Sequence, residues 1–173
     1  MSNVIELRAV CEYFQSPVNT TSFSKKEGHG PPSFKTQHGG SLNGAATIAR
    51  HFSKLGKRHN EVSIEDQACI DQWLEYRCSQ IDRCGPQGVP VTQVLEELDS
   101  FIADKVFFVS DHLTLADLFL YHGLHSIFGK LTFQEKEKYI NLSRWFDNVQ
   151  QDASLRQNLL VLPFSRSSLY TSG

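Results

Sequence analysis

Apolar residues follow helical spacing over most of the chain, in blocks set apart by polar turns. Val4, Leu7, Cys11 and Phe14 stand at i, i+3, i+7 and i+10, which predicts a short amphipathic helix over residues 3–15. From Ser16 to Gly40 the spacing is lost. Short apolar patches near Val18–Phe23 and Ser33–Phe34 predict thin strands, and Gly28, Gly30, Pro31 and Pro32 mark turns. Ser41 then reads as the cap of a second helix carrying Leu42, Ala45, Ala49 and Phe52 on one stripe, with Gly56 as its stop. Ser63-Ile64-Glu65-Asp66 fits a capping pattern, and the helix after it places Ile70, Trp73, Leu74, Cys78 and Ile81 on one face with Arg77 snorkelling at the edge. Cys84–Gly88 breaks that helix. Pro90 opens the next, whose stripe is Val91, Val94, Leu95, Leu98 and Ile102.

Val106–Val109 is too short and too apolar for a helix and reads as an extended segment entering the core. Thr114-Leu115-Ala116-Asp117 is a capping box, and residues 115–128 are apolar on nearly every face. Such a helix must be surrounded by others, which makes it the hub of the chain. Thr132–Glu135 and Ser154–Gln157 repeat the box pattern, Leu142, Trp145, Phe146 and Val149 form a further stripe, and Pro163 ends the regular part. Leu169 and Tyr170 are the packing residues of a polar tail.

Composition narrows the function classes. The 173 residues are 40% hydrophobic and 21% charged, an ordinary globular balance, and no stretch approaches the ~18 apolar residues of a membrane helix. The net charge of −2 lacks the basic excess of a nucleic-acid surface, so direct tRNA or DNA binding is not expected. No basic segment with an apolar run opens the chain, which predicts a cytoplasmic protein. Cys11, Cys69, Cys78 and Cys84 form no C-x-x-C pair, and reduced thiols are expected. Cys69 and Cys78 read as small helical hydrophobes and Cys84 as an exposed loop thiol.

The helix opening at Thr114–Asp117, the extended segment before it and Arg144-Trp145-Phe146 on a later helix together resemble the C-terminal domain of glutathione transferases. Pro32 before Ser33-Phe34, then Leu42 to Ile48 and Phe52, resembles the stretch where transferases place a cis proline, a strand and a helix. The fold implied is glutathione-transferase-like. A degenerate thioredoxin-like α/β N-terminal domain (residues 1–56) would be followed by a linker (57–64) and an all-α C-terminal helical domain (65–173). More specific strings are Gln72–Arg77, Leu131-Thr132, Gln134–Tyr139, Ser143–Phe146 and Leu169–Thr171. They resemble the small auxiliary subunits of the animal multi-aminoacyl-tRNA synthetase complex. That resemblance implies a non-catalytic scaffold that docks methionyl-tRNA synthetase, glutamyl-prolyl-tRNA synthetase and other scaffold subunits, with a nuclear, DNA-damage-linked role as well.

A transferase needs a hydroxyl or thiol near its N-terminus to stabilise the glutathione thiolate, and a Glu-Ser pair after the cis proline to hold the tripeptide. Here the resemblance puts Gly44 and Ala45 where that pair would stand, and the first strand is missing. Each lost charge-assisted bond forfeits about 1.5–3 kcal/mol, so glutathione binding should fall by orders of magnitude. Tyr13 and Cys11 sit on a helix, and no catalytic residue or cofactor is expected. A glutathione-dependent transferase with an atypical N-terminus is the alternative reading, and a tRNA-delivery module is a third.

His122 and His125 at i, i+3 have a spacing that could serve a metal, but with no further ligand they read as packing residues. Gly39-Gly40 before Ser41 lacks the Lys and spacing of a phosphate loop, and Glu135-Lys136-Glu137-Lys138 reads as a solvated face. Transferase-like pairing implies a partner surface of Thr47, Arg50, His51, Gln72, Tyr76 and Gln80. Arg144 marks a second, since a guanidinium can pair bidentately with a partner carboxylate; its other use is pairing inside its own helix bundle. Pro32, Thr114 and Asp117 are read as structural.

Overall fold

The computed structural model describes residues 2–18, 23–24, 31–36, 39–58 and 62–164, and it is built around α5 (Leu115–Phe128). The turns expected at Gly28 and Gly30, most of the Val18–Phe23 patch, and the packing expected of Leu169 and Tyr170 lie outside the described residues. Nearly all of α5 is buried, as its all-round apolarity requires. Its cap is the expected box: Thr114 Oγ1 accepts from Ala116 N–H (3.2 Å), and Asp117 Oδ2 accepts from Thr114 N–H (3.0 Å). Asp117 does more than cap. Its Oδ1 accepts from the Phe108 N–H and from Trp145 Nε1, both at 3.0 Å, which draws the 106–109 segment and a later helix onto the start of α5. The segment descends through bends, with Phe108 buried and Val106 exposed. Burial pushes the Asp117 carboxyl above its ordinary range, and the four donors from Phe108, Thr114 and Trp145 oppose that rise.

The remaining elements follow the apolar stripes. α1 (Ser2–Tyr13) packs on α2 (Ala45–Leu55) and α5; α3 (Ile64–Ser79) lies along α5 and ends in a 3-10 turn, Ile81–Arg83. α4 (Val91–Ile102) packs against α7 (Ile140–Gln150), and the short α6 (Phe133–Lys138) and α8 (Ala153–Arg156) complete the helical part. An antiparallel sheet in the order β1 (Phe23–Ser24), β2 (Ser33–Lys35), β3 (Ser41–Asn43) pairs Phe23 with Phe34 and Phe34 with Leu42.

Four local readings are corrected. Ser41 is no helix cap but the first residue of β3, and α2 begins only after Gly44, whose φ of 91° turns the chain out of the strand. The Gly44 N–H donates to the Pro32 carbonyl at 2.9 Å, while every peptide bond among the described residues, that of Pro32 included, is trans. Ser154 is not the cap of α8; Asp152 is, its carboxylate accepting from the Ser154 N–H at 2.8 Å. Cys69 is exposed and Cys84 half-buried, the reverse of the expected pattern.

The fourth concerns Arg77. It is only 2% exposed, and its Nη2 donates to both oxygens of Glu6, at 2.9 and 2.8 Å, while Nη1 pairs with Asp82. The guanidinium lies 5.3 Å over the Phe119 ring. Gly123 on α5 makes the room, since a Cβ there would stand 1.7 Å from Arg77 Nε. One cation therefore meets α1, α3, the 3-10 turn and α5 at once.

Removing one partner of a buried ion pair leaves an uncompensated charge. Arg77→Leu should therefore cost about 3–5 kcal/mol, and Gly123→Ala about 1–3 kcal/mol through overpacking. Urea unfolding measures both; losses under about 0.5 kcal/mol would mean that the group does not hold the helices together.

Candidate functional site

The positions a transferase would use for chemistry carry none here. Gly44 and Ala45 offer no side-chain donor or acceptor for a tripeptide, and Ala45 is buried. Cys11 is buried, its Sγ directed at the Ser16 carbonyl, and burial pushes the thiol up. Burial, with Asp152 nearby, likewise raises the Tyr13 hydroxyl, although Arg58, 5.3 Å over the ring, pulls the other way. A nucleophile at either place would need the opposite shift.

His122 and His125 bind the backbone of the segment that runs from α8 to Phe164. His122 Nε2 donates to the Leu155 carbonyl (3.1 Å) and His125 Nε2 to that of Leu160 (2.9 Å). Burial drives the His122 ring down to about 4, with the Leu155 bond countering it. Among the described residues no group of three His, Cys, Asp or Glu comes together to hold a metal. The same terminal segment is gripped twice more: Gln150, fully buried, donates to the Leu162 carbonyl and accepts from its N–H, each at 2.9 Å, and Lys136 Nζ donates to Pro163. The run Glu135–Lys138 is thus not a uniformly solvated face, since Lys136 is buried and Glu135 closes the Thr132 box. Gly39 and Gly40 lie in the β2–β3 turn, away from any helix start.

Two surfaces remain. α2 and α3 run side by side in opposite directions, Arg50 Nη2 pairing with Asp71 at 2.6 Å while Cys78 reaches the backbone of Ala46. On this pair Thr47 and Gln72 are exposed, and His51 is half-buried against Phe34 and Phe52. Tyr76 turns to α4, its hydroxyl donating to Glu97 Oε2 at 2.7 Å, and Gln80 ends α3. Burial and the Glu97 carboxylate raise the Tyr76 hydroxyl, so it stays a neutral donor. Asp71 and Glu97 fix this surface but carried no sequence signal, since each acts through a residue on another helix.

Arg144 lies apart, on α7. Its Nη2 donates to the carbonyls of Ile102 (3.0 Å) and Lys105 (2.9 Å), closing the C-terminal end of α4. The pairing within its own bundle is therefore present, yet the side chain is exposed and its Nε and Nη1 have no partner among the described residues.

Residues 66–153 match the family model described as nuclear-export cofactor Arc1p. The chain is 41% identical over 143 residues to eukaryotic translation elongation factor 1 epsilon-1 of Cricetulus griseus, covering 82% of each. It is 31% identical over 93 residues to the tRNA-aminoacylation cofactor arc1 of Schizosaccharomyces pombe, covering 53% of this chain and 19% of that one. It is 28% identical over 91 residues to the bifunctional glutamate/proline–tRNA ligase of Cricetulus griseus, covering 50% of this chain and 6% of that one. Among solved structures, the glutathione-transferase-like domain of elongation factor 1-gamma from Saccharomyces cerevisiae superposes with a TM-score of 0.68 at 15% identity, covering 93% and 91%. A glutathione S-transferase of class Gtt2 from Vibrio parahaemolyticus gives 0.62 at 16%, covering 88% and 92%. The fold is glutathione-transferase-like.

The His122 ring takes a proton at about 4 in the native chain against 6.5 when unfolded, so between those values the unfolded state holds the extra proton. Stability should fall as pH drops from 6.5 to 4, by roughly 3 kcal/mol in all. His122→Gln should flatten that acid limb in urea unfolding followed against pH; an unchanged limb would assign the loss elsewhere.

Proposed function

The chain belongs to the family of eukaryotic translation elongation factor 1 epsilon-1, and we propose that it works as a non-catalytic auxiliary subunit that docks aminoacyl-tRNA synthetases. The observation that carries this is the 41% identity over 82% of both chains, joined to an N-terminal part stripped of glutathione-binding groups at Gly44 and Ala45. Its partners are methionyl-tRNA synthetase and glutamyl-prolyl-tRNA synthetase. The likeness to a short stretch of the glutamate/proline ligase supports pairing of like with like, in which two related surfaces meet across a pseudo-twofold axis. The α2–α3 face, through Thr47, Arg50, His51, Gln72, Tyr76 and Gln80, takes one partner. Arg144 takes the other: carbonyls at the C-terminal end of α4 and just beyond it hold the guanidinium by Nη2, which leaves Nε and Nη1 as separate, fixed donors for acceptors of the partner. We place the protein in the cytoplasm and, in response to DNA damage, in the nucleus; the net charge of −2 favours protein over nucleic-acid partners.

Pull-down with purified synthetases tests the docking. Arg144→Ala should weaken one partner by roughly 30-fold, the size of an interface hot spot, and leave the other bound; Arg50→Glu with Gln72→Ala should do the converse. Circular dichroism controls for loss of the α4 cap. If both variants keep both partners, the surface assignment is wrong. Calorimetric titration with glutathione should show no binding tighter than about 1 mM, near −4 kcal/mol, and turnover of a chloro-dinitrobenzene substrate would overturn the non-catalytic reading.

A further inference from the structure

At the end of α2 a cleft of about 60 Å³ opens between α1, α2, α3 and the start of α5. It has room for a few waters or for one tetrahedral oxyanion. Arg50, Lys54 and Arg58 all line it, spaced four residues apart, so that successive turns of α2 and the chain just past Gly56 border the same cleft. His112 stands on the opposite wall beside Thr114 and Leu115, where α5 begins. Among the described residues no carboxylate lines the cleft.

The cations keep donors in hand. Arg50 gives Nη2 to Asp71, but its Nε is buried with no acceptor. Arg58 gives Nη1 to Ser154 Oγ and rests over the Tyr13 ring. Lys54 is exposed and has no ion pair among the described residues. Among the described residues, Asp71 on Arg50, Asp111 on His112 and Asp152 close to Arg58 stand outside the lining. A buried guanidinium N–H without an acceptor is costly to leave so, and three cations around a small space supply what a phosphate needs: charge, guanidinium donors and the hydroxyls of Tyr13 and Ser53 on the rim.

We propose that this cleft binds a phosphate group, as the free anion or as a monoester. It lies past the C-terminal end of α2, whereas Gly44 and Ala45 are at the other end of that helix, so it is separate from the tripeptide positions considered above. It is separate from the Arg144 surface and adjoins the α2–α3 face, with which it shares Arg50.

The test is nitrogen–proton NMR of the full chain at constant ionic strength, exchanging chloride first for inorganic phosphate and then for O-phosphoserine. Saturable shifts are expected at the amides of Arg50, Lys54, His112 and Leu115, with a dissociation constant in the low millimolar range (about −4 kcal/mol). Lys54→Gln and Arg58→Gln should each weaken binding roughly tenfold, as expected for one charge-assisted bond. Lys130→Gln, at the far end of α5, should leave it unchanged. Saturation by inorganic phosphate alone identifies the free anion; saturation by O-phosphoserine identifies the ester. If neither ligand shifts these amides, or if the Lys54 and Arg58 variants with intact spectra bind as tightly as wild type, the proposal fails.

Discussion

A guanidinium sealed from water commits everything around it. Arg77 can stay buried at 2% exposure only while Glu6 and Asp82 remain in place, and that condition ties α1 and the 3-10 turn to the long helix α3. The space it occupies is cut from α5, where Gly123 interrupts an otherwise bulky surface. Such a group is weak evidence for net stability, because apolar residues could fill the same volume at no loss. Its physical effect is on specificity: a slip of α1 along α2 or a rotation of α3 would strand a buried charge, whereas hydrophobic contacts alone would tolerate either.

Asp117 plays a comparable part at the start of α5. A capping carboxylate normally serves its own helix; this one also accepts from Phe108 and Trp145, so the hub, the descending segment and α7 are set by one side chain. The proposed docking role rests on this rigidity. Surfaces without reacting atoms depend for their selectivity on holding their shape before the partner arrives, and both candidate faces consist of side chains fixed by the chain itself: Arg50 by Asp71, Tyr76 by Glu97, Arg144 by the end of α4.

What could be read from the sequence was whatever is encoded locally. The caps at Ser63, Thr114 and Thr132 are formed within three residues, and the apolar stripes needed only helical periodicity. Arg77 was misread because its partner is 71 residues away, and at the margin of an apolar stripe a snorkelling arginine looks the same. Ser41 looked like a cap because Leu42, Ala45, Ala49 and Phe52 fit a helical stripe; the positive φ of Gly44, which no periodicity records, divides strand from helix there. Lys136 was placed in solvent by its charged neighbours, though it pairs with a carbonyl 27 residues on. The candidate surfaces divide the same way. Exposure of Thr47 and Gln72 follows from helix phase, while the acids that orient Arg50 and Tyr76 are contributed by other helices and show only in three dimensions.

The chain's last described stretch is held by its main chain: His125 at Leu160, Gln150 at Leu162, Lys136 at Pro163. Bonds to carbonyls and amides do not register which side chain the residue carries. Leu160 and Val161, both turned to solvent, accordingly carry no side-chain constraint from these bonds, whereas Leu162 and Phe164 also pack their side chains against the core. Position 162 carries a backbone constraint as well, for its N–H is spoken for by Gln150, and a proline there has none to give.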